Sequence, residues 1–433
     1  MNIRRISAVL LAALTLPFVA ACGSSGSDGD QATSSTEVTF WSFLKGSDAV
    51  AEAFNKSHPG ITVTFETQAG GAEYYTKLSN AVSSGDVPDV AVAEYIRLPE
   101  IVSLEGAEDL SELSGDVVAD NFPEATRELV ELGGRTWGVP RDAAPMLYLY
   151  RKDFFDQHGL EVPKTWAEYE ALAEKVKAID KKKYAGMYLT ADSNMFSALS
   201  WQAGASWFDT EDDSWQVGIN DEPTKRVAEY WQRLVRNDLV APFPSFTDEL
   251  YRSVQQGDLV GYVCASWCAG GLQATVPDQK GKWAVAELPS WDGQPTSAMW
   301  GGSSFIVPKG AENAEAAAEF IEWITTDPEG IAAWYADGTS SMYPADPELV
   351  PVAKDGFVTD YFGGQDIFAV DSASYDSVRS GWAWGPTMAA TDQVFAGDLG
   401  KVVDGSAELA DITDDAQRAT VEAMRGRGLD VTE

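Results

Sequence analysis

Residues 134–166, GRTWGVPRDAAPMLYLYRKDFFDQHGLEVPKTW, mark the place where the chain leaves one domain and enters another. Pro140 and Pro145 each fix φ and lack an N–H, so the segment around them is a constrained connector and not part of a helix. Over residues 146–150 the side chains alternate between two faces, which predicts a short strand. Apolar residues beyond Trp166 recur at helical spacing, so the order is connector, strand, loop and helix.

Strand-like and helix-like segments alternate on both sides of this stretch. Thr165 and Glu168 fit a capping box at the start of the helix. Upstream, alternating or continuous apolar runs predict strands near residues 38–41, 61–65 and 88–92, with helices near 49–57 and 74–82. Residues 110–132 are polar and predict a further helical segment. Such alternation favours α/β layers built on a mainly parallel sheet.

Three motifs of the opening stretch, G-R-T-W-G-V-P, L-Y-L-Y-R-K-D-F-F and G-L-E-V-P-K-T-W, follow one another at short intervals. Their order and spacing resemble those of the extracellular solute-binding proteins, family 1, of sugar-importing ABC transporters. F-N-K-S-H-P-G-I-T-V and S-S-G-D-V-P-D-V, earlier in the chain, are similar to the opening of that family. The resemblance implies a two-domain periplasmic-binding-protein-like fold of type II, a Venus-flytrap in which each domain is a mainly parallel sheet flanked by helices.

The length of the chain also favours two domains, because 433 residues exceed the size at which a single core stops growing. The segments W-G-G-S-S-F-I-V-P-K and G-T-S-S-M-Y-P resemble the other two crossings of the family, which implies a multi-segment hinge. The expected parts are a signal peptide (1–21), a lipid-anchored tether (22–36), a discontinuous N-terminal lobe (37–142 and 302–345) and a discontinuous C-terminal lobe (143–301 and 346–433).

The net charge excludes one class of partner. The 31 basic and 67 acidic residues leave a charge of −36, which repels phosphate backbones and anionic lipid headgroups. We therefore expect no nucleic-acid binding, and contact with a membrane requires a separate anchor.

The N-terminus offers such an anchor. Arg4 and Arg5 precede an apolar run over residues 6–21 that is short for a membrane-spanning helix. The sequence V-A-A-C ending at Cys22 resembles the lipobox of bacterial lipoproteins, in which the cysteine is acylated. A plain secretory peptide is the alternative. The polar stretch after Cys22 is expected to be a flexible tether, which places the protein on the outer face of the cell membrane.

The other two cysteines are Cys264 and Cys268, and an exported chain could join them in a disulfide if the backbone there is a loop. A metal site is less favoured, because His58 and His158 are the only histidines and each lies beside a turn. Residues 209–213 resemble part of a calcium loop but lack its glycine and its closing acid, so a solvated hairpin turn is preferred. No cofactor is expected.

Ligands of open α/β sheets gather at the carboxyl ends of the strands. Trp41 and Lys45 follow the first predicted strand, and Glu94 and Tyr95 follow the third. These four residues are therefore candidates for the binding site.

Carbohydrates combine apolar faces, which stack on aromatic rings, with hydroxyls, which need polar partners. Several of the 15 tryptophans lie beside glycine, where a purely packing role is less expected. They are Trp267, which precedes Gly270 and Gly271; Trp300, beside Gly301 and Gly302; and Trp382 and Trp384, in R-S-G-W-A-W-G-P.

The resemblance to maltodextrin-type binding proteins implies roles for some of these residues. The stacking tryptophans fall on Trp267 and Trp384, a stacking tyrosine falls near Phe196, and the polar contacts fall on Lys45, Glu94 and Asp142. Phe196 lacks the tyrosine hydroxyl, and the C-x-x-W-C loop is not general to the family, so the sugar is not identified. For Asn194, Arg379, Asp371 and Tyr95, binding and packing roles stay equally open.

The sequence thus predicts a monomeric, lipid-anchored solute-binding protein that captures a mono- or oligosaccharide in an interdomain cleft and presents it to ABC-transporter permease subunits. An exported glycoside hydrolase is the rival hypothesis, because acids near aromatic residues also describe such active sites. The chain lacks H-E-x-x-H and G-x-S-x-G, so the non-enzymatic hypothesis is preferred. A peptide or metal binder on the same fold is a third hypothesis.

Overall fold

The computed structural model describes residues 35–211 and 214–432. The signal peptide, Cys22, most of the tether and two acids of the residue 209–213 turn lie outside the described residues. Contacts within the chain assemble Ser35–Glu433 into one unit, in which several separate sheets form. Among the described residues, none of the helices combines the length and the apolar character needed to cross a bilayer.

The strands, in chain order, are β1 (Thr36–Ser42), β2 (Ile61–Thr67), β3 (Val90–Glu94), β4 (Glu131–Leu132), β5 (Arg135–Thr136), β6 (Val139–Pro140), β7 (Asp142–Ala143), β8 (Met146–Arg151), β9 (Met187–Leu189), β10 (Phe208–Glu211), β11 (Ser214–Val217), β12 (Ala241–Phe243), β13 (Gly261–Ala265), β14 (Trp283–Glu287), β15 (Ser303–Ile306), β16 (Tyr343–Pro344) and β17 (Val431–Thr432).

The α-helices are α1 (Ser47–Ser57), α2 (Ala72–Ser84), α3 (Leu98–Ser103), α4 (Gly115–Asn121), α5 (Glu124–Arg127), α6 (Lys152–His158), α7 (Trp166–Ile179), α8 (Ser193–Ala203), α9 (Glu222–Arg236), α10 (Asp248–Gln256), α11 (Trp267–Thr275), α12 (Ala314–Thr326), α13 (Pro328–Trp334), α14 (Val350–Gly356), α15 (Ile367–Asp376), α16 (Met388–Asp404) and α17 (Leu409–Gly426). Short 3₁₀ turns are Pro277–Gln279, Pro347–Leu349 and Thr359–Phe362.

The first lobe is built on a five-stranded sheet in the order β2-β1-β3-β15-β6. The strands β1, β2 and β3 run parallel, as the alternation predicts, whereas β15 pairs antiparallel with both β3 and β6. Phe40 of β1 is fully buried and packs edge-on against Phe305 and Phe320, because one face of this sheet is covered by α12.

The second lobe contains the antiparallel sheet β13-β8-β14. The expectation of a mainly parallel sheet is wrong here. The crossover β13-α11-β14 does return the chain in the same direction, as a βαβ unit does. However, β8 comes from the preceding domain crossing and lies between these two strands in the opposite direction, so both of its pairings are antiparallel.

Helices of the second lobe pack around an aromatic core. The capping box at the start of α7 is confirmed: Glu168 N donates to Thr165 Oγ1 at 3.1 Å, and Thr165 N donates to Glu168 Oε2 at 3.3 Å. Trp166 and Tyr169 of α7 are buried against Trp231 of α9. A single long helix over residues 110–132 is not formed. Pro123 separates the short helices α4 and α5, since proline lacks the N–H that a continuous helix needs.

Three chain segments lie side by side where the lobes meet. β7 pairs antiparallel with β16. Asp142 of β7 accepts hydrogen bonds from Ser303 N (2.9 Å) and Ser303 Oγ (2.6 Å), which tie the second crossing, at β15, to the first. Gly302, immediately before, has φ of +92°, and a Cβ atom there would approach the Tyr95 ring to 2.7 Å, so glycine is required at this position.

Candidate functional site

A cavity of about 480 Å³ lies at these crossings. The first lobe contributes residues from the loop after β1, from the end of β3 and from the crossing segments. The second lobe contributes residues from the start of α8, from α11 and from the segment before β15. A larger cavity of about 850 Å³ adjoins it. Asp192 and Asn194 line both cavities, so the two form one continuous cleft.

One wall of the smaller cavity is aromatic. Trp267 is the first residue of α11 and remains partly exposed, whereas Trp300 is buried. The Trp267 indole N–H donates to Trp300 O at 3.0 Å, and the rings meet edge-on with centroids 5.9 Å apart. Phe246 packs edge-on against Trp267 at 5.0 Å. These contacts hold the indole at the cavity wall.

Polar groups also line this cavity. Lys45 Nζ forms an ion pair with Asp337 at 2.6 Å and donates to the Thr339 hydroxyl. Glu94 accepts a hydrogen bond of 3.0 Å from the Tyr75 hydroxyl. Burial raises the pKa of Glu94, although the Tyr75 hydrogen bond opposes that shift. The cavity thus presents an ammonium and a carboxyl group to a ligand.

Acidic groups are concentrated where the two cavities meet. Asp192 caps α8 by accepting from Asn194 N at 2.9 Å, and Asp392 forms an ion pair with Arg97 at 2.5 Å. Burial raises the pKa of both carboxyls, although Arg97 opposes the shift of Asp392. The charge of Asp392 adds to the shift of Asp192, and both carboxylates add to the shift of Glu94. This part of the cleft therefore offers mainly hydrogen-bond acceptors and disfavours additional negative charge.

The model of the family described as bacterial extracellular solute-binding protein matches residues 42–331 of the chain. The chain belongs to this family. The match confirms the resemblance of the motifs around residues 134–166. It also places the protein in an extracellular class of binding proteins.

Relatives of this solute-binding protein extend the likeness. The chain is 27% identical over 338 residues to the arabinooligosaccharide-binding protein of Bacillus subtilis, with 74% of this chain and 76% of that protein covered. It is 27% identical over 349 residues to the maltooligosaccharide ABC transporter solute-binding lipoprotein of Streptococcus pneumoniae serotype 4, with 73% and 76% covered.

Among solved structures, the galacto-N-biose-/lacto-N-biose I-binding protein of the ABC transporter from Bifidobacterium longum, in complex with lacto-N-biose, matches with a TM-score of 0.81. The sequence identity is 27%, and the match covers 92% of this chain and 99% of that one. A likeness over nearly the whole of both chains confirms the predicted two-domain α/β fold class.

The structure brings together many of the predicted site residues of the solute-binding protein. Those that line the smaller cavity are Lys45, Glu94, Asp142, Asn194, Trp267, Trp300, Gly301 and Gly302. Contact with a ligand stays a prediction for each of them. Asp142 also holds the crossing segments together, so its side chain has a structural task besides any role in binding.

Three predicted site residues are buried elsewhere, and their placement in the site is corrected. Tyr95 is 1% exposed and donates its hydroxyl to Asp142 O at 2.9 Å, so it supports the crossing. Phe196 packs in the core against Trp207 and Phe395, which suits a ring without a hydroxyl. Asp371 on α15 is fully buried and lines neither cavity.

The tryptophans of R-S-G-W-A-W-G-P also require correction. Trp382 is 4% exposed and stacks on Trp201, with centroids 5.2 Å apart and an interplanar angle of 6°. Trp384 is 7% exposed and meets Trp382 edge-on at 5.1 Å. Both rings are buried despite their glycine neighbours, because Trp201 of α8 covers Trp382 and Trp384 packs against Trp382.

Two further predicted residues lie outside both cavities. Arg379 donates through Nε to Gln202 O at 3.1 Å and contacts α8. Trp41 is partly exposed at the end of β1, with Lys77 Nζ 3.8 Å from its ring centroid. A cation over its face leaves less of this ring available for stacking.

Sequence reasoning missed several lining residues. The cleft also contains Tyr75, Arg97, Asp192, Asp392 and Phe246. Two of them had a local signal: Asp192 is the N-cap before Asn194, and Arg97 lies three residues after Glu94 beyond the same strand. The others come from α2, α16 and a loop, which only the fold brings to the cleft.

Cys264 and Cys268 are joined by a disulfide. The backbone there is not a loop, because Cys264 belongs to β13 and Cys268 to α11. Within residues 35–211 and 214–432, no group of three or more histidine, cysteine, aspartate and glutamate side chains could hold a metal ion. Of residues 209–213, the described ones belong to β10, which pairs antiparallel with β11.

Proposed function

We propose that the protein captures a short oligosaccharide in this cleft and delivers it to the permease of an ABC transporter. The observation that carries the proposal is the partly exposed Trp267 indole, which lines a cavity of about 480 Å³ together with Lys45 and Glu94. An aromatic ring suits the apolar face of a pyranose or furanose, and the polar side chains suit its hydroxyls.

The relatives support the class of ligand. Their names specify arabinooligosaccharides, maltooligosaccharides and lacto-N-biose, which differ in sugar but share the oligosaccharide class. The adjoining cavity of about 850 Å³ provides room for more than one sugar ring. The two lobes close around the ligand by bending at the three crossings. These crossings lie near residues 142–143, 301–302 and 345–346.

Delivery requires that the protein stay near its permease. We propose that Cys22 carries the lipid anchor, a role supported by the lipobox-like sequence and by the lipoprotein relative from Streptococcus pneumoniae. Replacing Cys22 with serine then releases the protein from the membrane fraction into the medium, as detected by immunoblotting. Retention of the Cys22→Ser variant in the membrane fraction contradicts the anchor.

The binding function is tested by calorimetry against a panel of neutral oligosaccharides. The wild type binds at least one of them, and Trp267→Ala weakens that binding tenfold or more, because an indole that covers the sugar contributes about 1.5–3 kcal/mol. Trp215→Ala is the matched control, since Trp215 lies on β11 and lines neither cavity; its affinity stays that of the wild type.

The same samples separate binding from hydrolysis. After incubation, chromatography recovers a bound sugar unchanged, while the ligand raises the thermal unfolding temperature of the protein. Shorter products in the wild-type sample contradict the proposal and support a hydrolase. Equal affinity of Trp267→Ala and the wild type contradicts the placement of the site.

A further inference from the structure

The transition from β13 to α11 is unusually short. β13 ends at Ala265 and α11 begins at Trp267, so only Ser266 separates strand from helix. Cys264 lies near the end of the strand, Cys268 in the first turn of the helix, and their disulfide closes this turn. Trp267 is thus held between two covalently joined residues.

The helix has little stability of its own. It has nine residues, and Gly270 and Gly271 both disfavour helical backbone. Ser266, at the N-cap position, makes no capping hydrogen bond through its side chain. The position of the first helical turn must therefore come from contacts outside the helix.

The contacts of the Trp267 ring itself hold it at the cavity wall, but none of them is a parallel stack. The ring has one hydrogen bond, to Trp300 O, and edge-on contacts with Phe246 and Trp300. Neither aromatic neighbour stacks on its face, so the direction of the ring depends on the backbone of residues 266–268. Cys264 is fully buried and Cys268 is 4% exposed, which fits a structural bond better than one that exchanges with solvent thiols.

We propose that the Cys264–Cys268 disulfide positions Trp267 for the ligand. Together with the hydrogen bonds from Ser266 N to Pro145 O (3.1 Å) and from Ser341 Oγ to Ser266 O (2.7 Å), it fixes the first turn of α11, and with it the plane of the Trp267 indole. This role rests on the proposed binding function. It makes the two cysteines positioning residues, which act on the ligand through Trp267 and do not touch it.

The test compares the affinity for the best oligosaccharide of the panel in four proteins: wild type, the double variant Cys264→Ala/Cys268→Ala, Trp267→Ala, and the triple variant. We expect the double variant to bind about tenfold more weakly than the wild type. In the Trp267→Ala background, removal of the disulfide changes the affinity less than twofold, because the group it positions is already absent.

Thr165→Ala controls for loss of stability alone. It removes the capping box of α7, outside both cavities, so it lowers the unfolding temperature without changing the affinity. If the double variant does not fold, the wild type is reduced by dithiothreitol in urea, where the bond becomes accessible, and is refolded by dialysis under reducing conditions. Dithiothreitol transfers two electrons and two protons to the disulfide and is itself oxidised. Mass spectrometry confirms the gain of two hydrogens before calorimetry.

Two results overturn the positioning role. One is equal affinity with and without the disulfide in an otherwise native Trp267 protein. The other is an equal loss of affinity in the Trp267→Ala background, which shows a general effect on the lobe. A wild-type protein that binds no oligosaccharide is a different result, because it removes the proposed function itself.

Discussion

At the scale of single residues, Asp371 is a carboxyl group that is buried without a hydrogen-bond partner in the described part of the protein. It is fully buried on α15, and neither carboxyl oxygen has a hydrogen-bond partner. Burial raises its pKa well above 3.8, and the nearby charge of Asp366 adds to the shift. Charge inside an apolar environment is unfavourable, so folding favours the protonated form of this carboxyl.

A raised pKa links Asp371 to the pH dependence of stability. Above its ordinary pKa of 3.8 the unfolded chain has released this proton while the folded chain retains it, so the contribution of Asp371 to stability falls as pH rises toward its folded pKa. The slope is about 1.4 kcal/mol per pH unit within that window. Asp371→Asn removes the slope.

We therefore expect the free energy of unfolding of Asp371→Asn, relative to that of the wild type, to increase between pH 5 and pH 7. Urea unfolding at several pH values measures both proteins. Asp376→Asn, at an exposed position on the same helix, is the control and keeps the wild-type slope. Parallel pH profiles for Asp371→Asn and the wild type would show that Asp371 ionises normally.

At the scale of elements, α11 joins the two lobes at the cavity. Gly270 N donates to Ser341 Oγ at 2.7 Å, and Ser341 Oγ donates to Ser266 O at 2.7 Å. A Cβ atom on Gly270 would collide with Thr339 O, which belongs to the backbone of the third crossing. On Gly271 the same atom would approach only the Tyr251 hydroxyl, at 3.8 Å. Two adjacent glycines thus have different reasons to be present.

These contacts predict opposite effects for two identical substitutions. Gly271→Ala stabilises the protein by about 0.5–1 kcal/mol, because alanine favours helical backbone and the site has room. Gly270→Ala gains the same propensity but must push the third crossing away, so it destabilises the protein by about 1–3 kcal/mol and weakens sugar binding. Thermal unfolding and calorimetry measure both. Similar stabilities for the two variants would mean that the crossing yields easily.

At the scale of the whole molecule, ion pairs connect the lobes beside the larger cavity. Arg97 of the first lobe pairs with Asp392 of α16 at 2.5 Å. Glu100 on α3 pairs with Arg427, just after α17, at 2.7 Å and accepts from Ala389 N at 3.2 Å. All four charged side chains are at most one-third exposed, so bulk salt screens them less than fully exposed pairs.

These ion pairs join the two lobes. We expect them to form when the lobes close around the sugar, so that they add to the affinity for it. Arg427→Ala then weakens sugar binding about fivefold, equivalent to about 1 kcal/mol for a partly exposed pair. Arg233→Ala is the control, since Arg233 pairs with Glu170 at 2.9 Å inside the second lobe. It lowers stability without altering affinity. Unchanged affinity of Arg427→Ala, measured by calorimetry at low salt, would show that the pairs persist in the open form.

Local patterns in the chain were enough to predict much of this architecture. Strand and helix periods depend on neighbouring residues, so the order of elements in the first lobe and the capping box of Thr165 and Glu168 could be derived without the fold. Motifs around the crossings predicted the family. Trp267 could be proposed for the cavity because its strand and glycines form a local motif.

Other features depend on distant parts of the chain. Trp267 and Trp382 both lie near glycine, yet only Trp267 lines the cavity, because Trp201 of α8 covers Trp382. A distant segment also decides the direction of strand pairing. Because β8 lies between β13 and β14, that sheet is antiparallel and not parallel as expected. Three features are therefore non-local: the burial of these rings, the direction of strand pairing, and the meeting of Asp192, Asp392 and Glu94. Each arises from surfaces that only folding brings together, so no short stretch of sequence describes it.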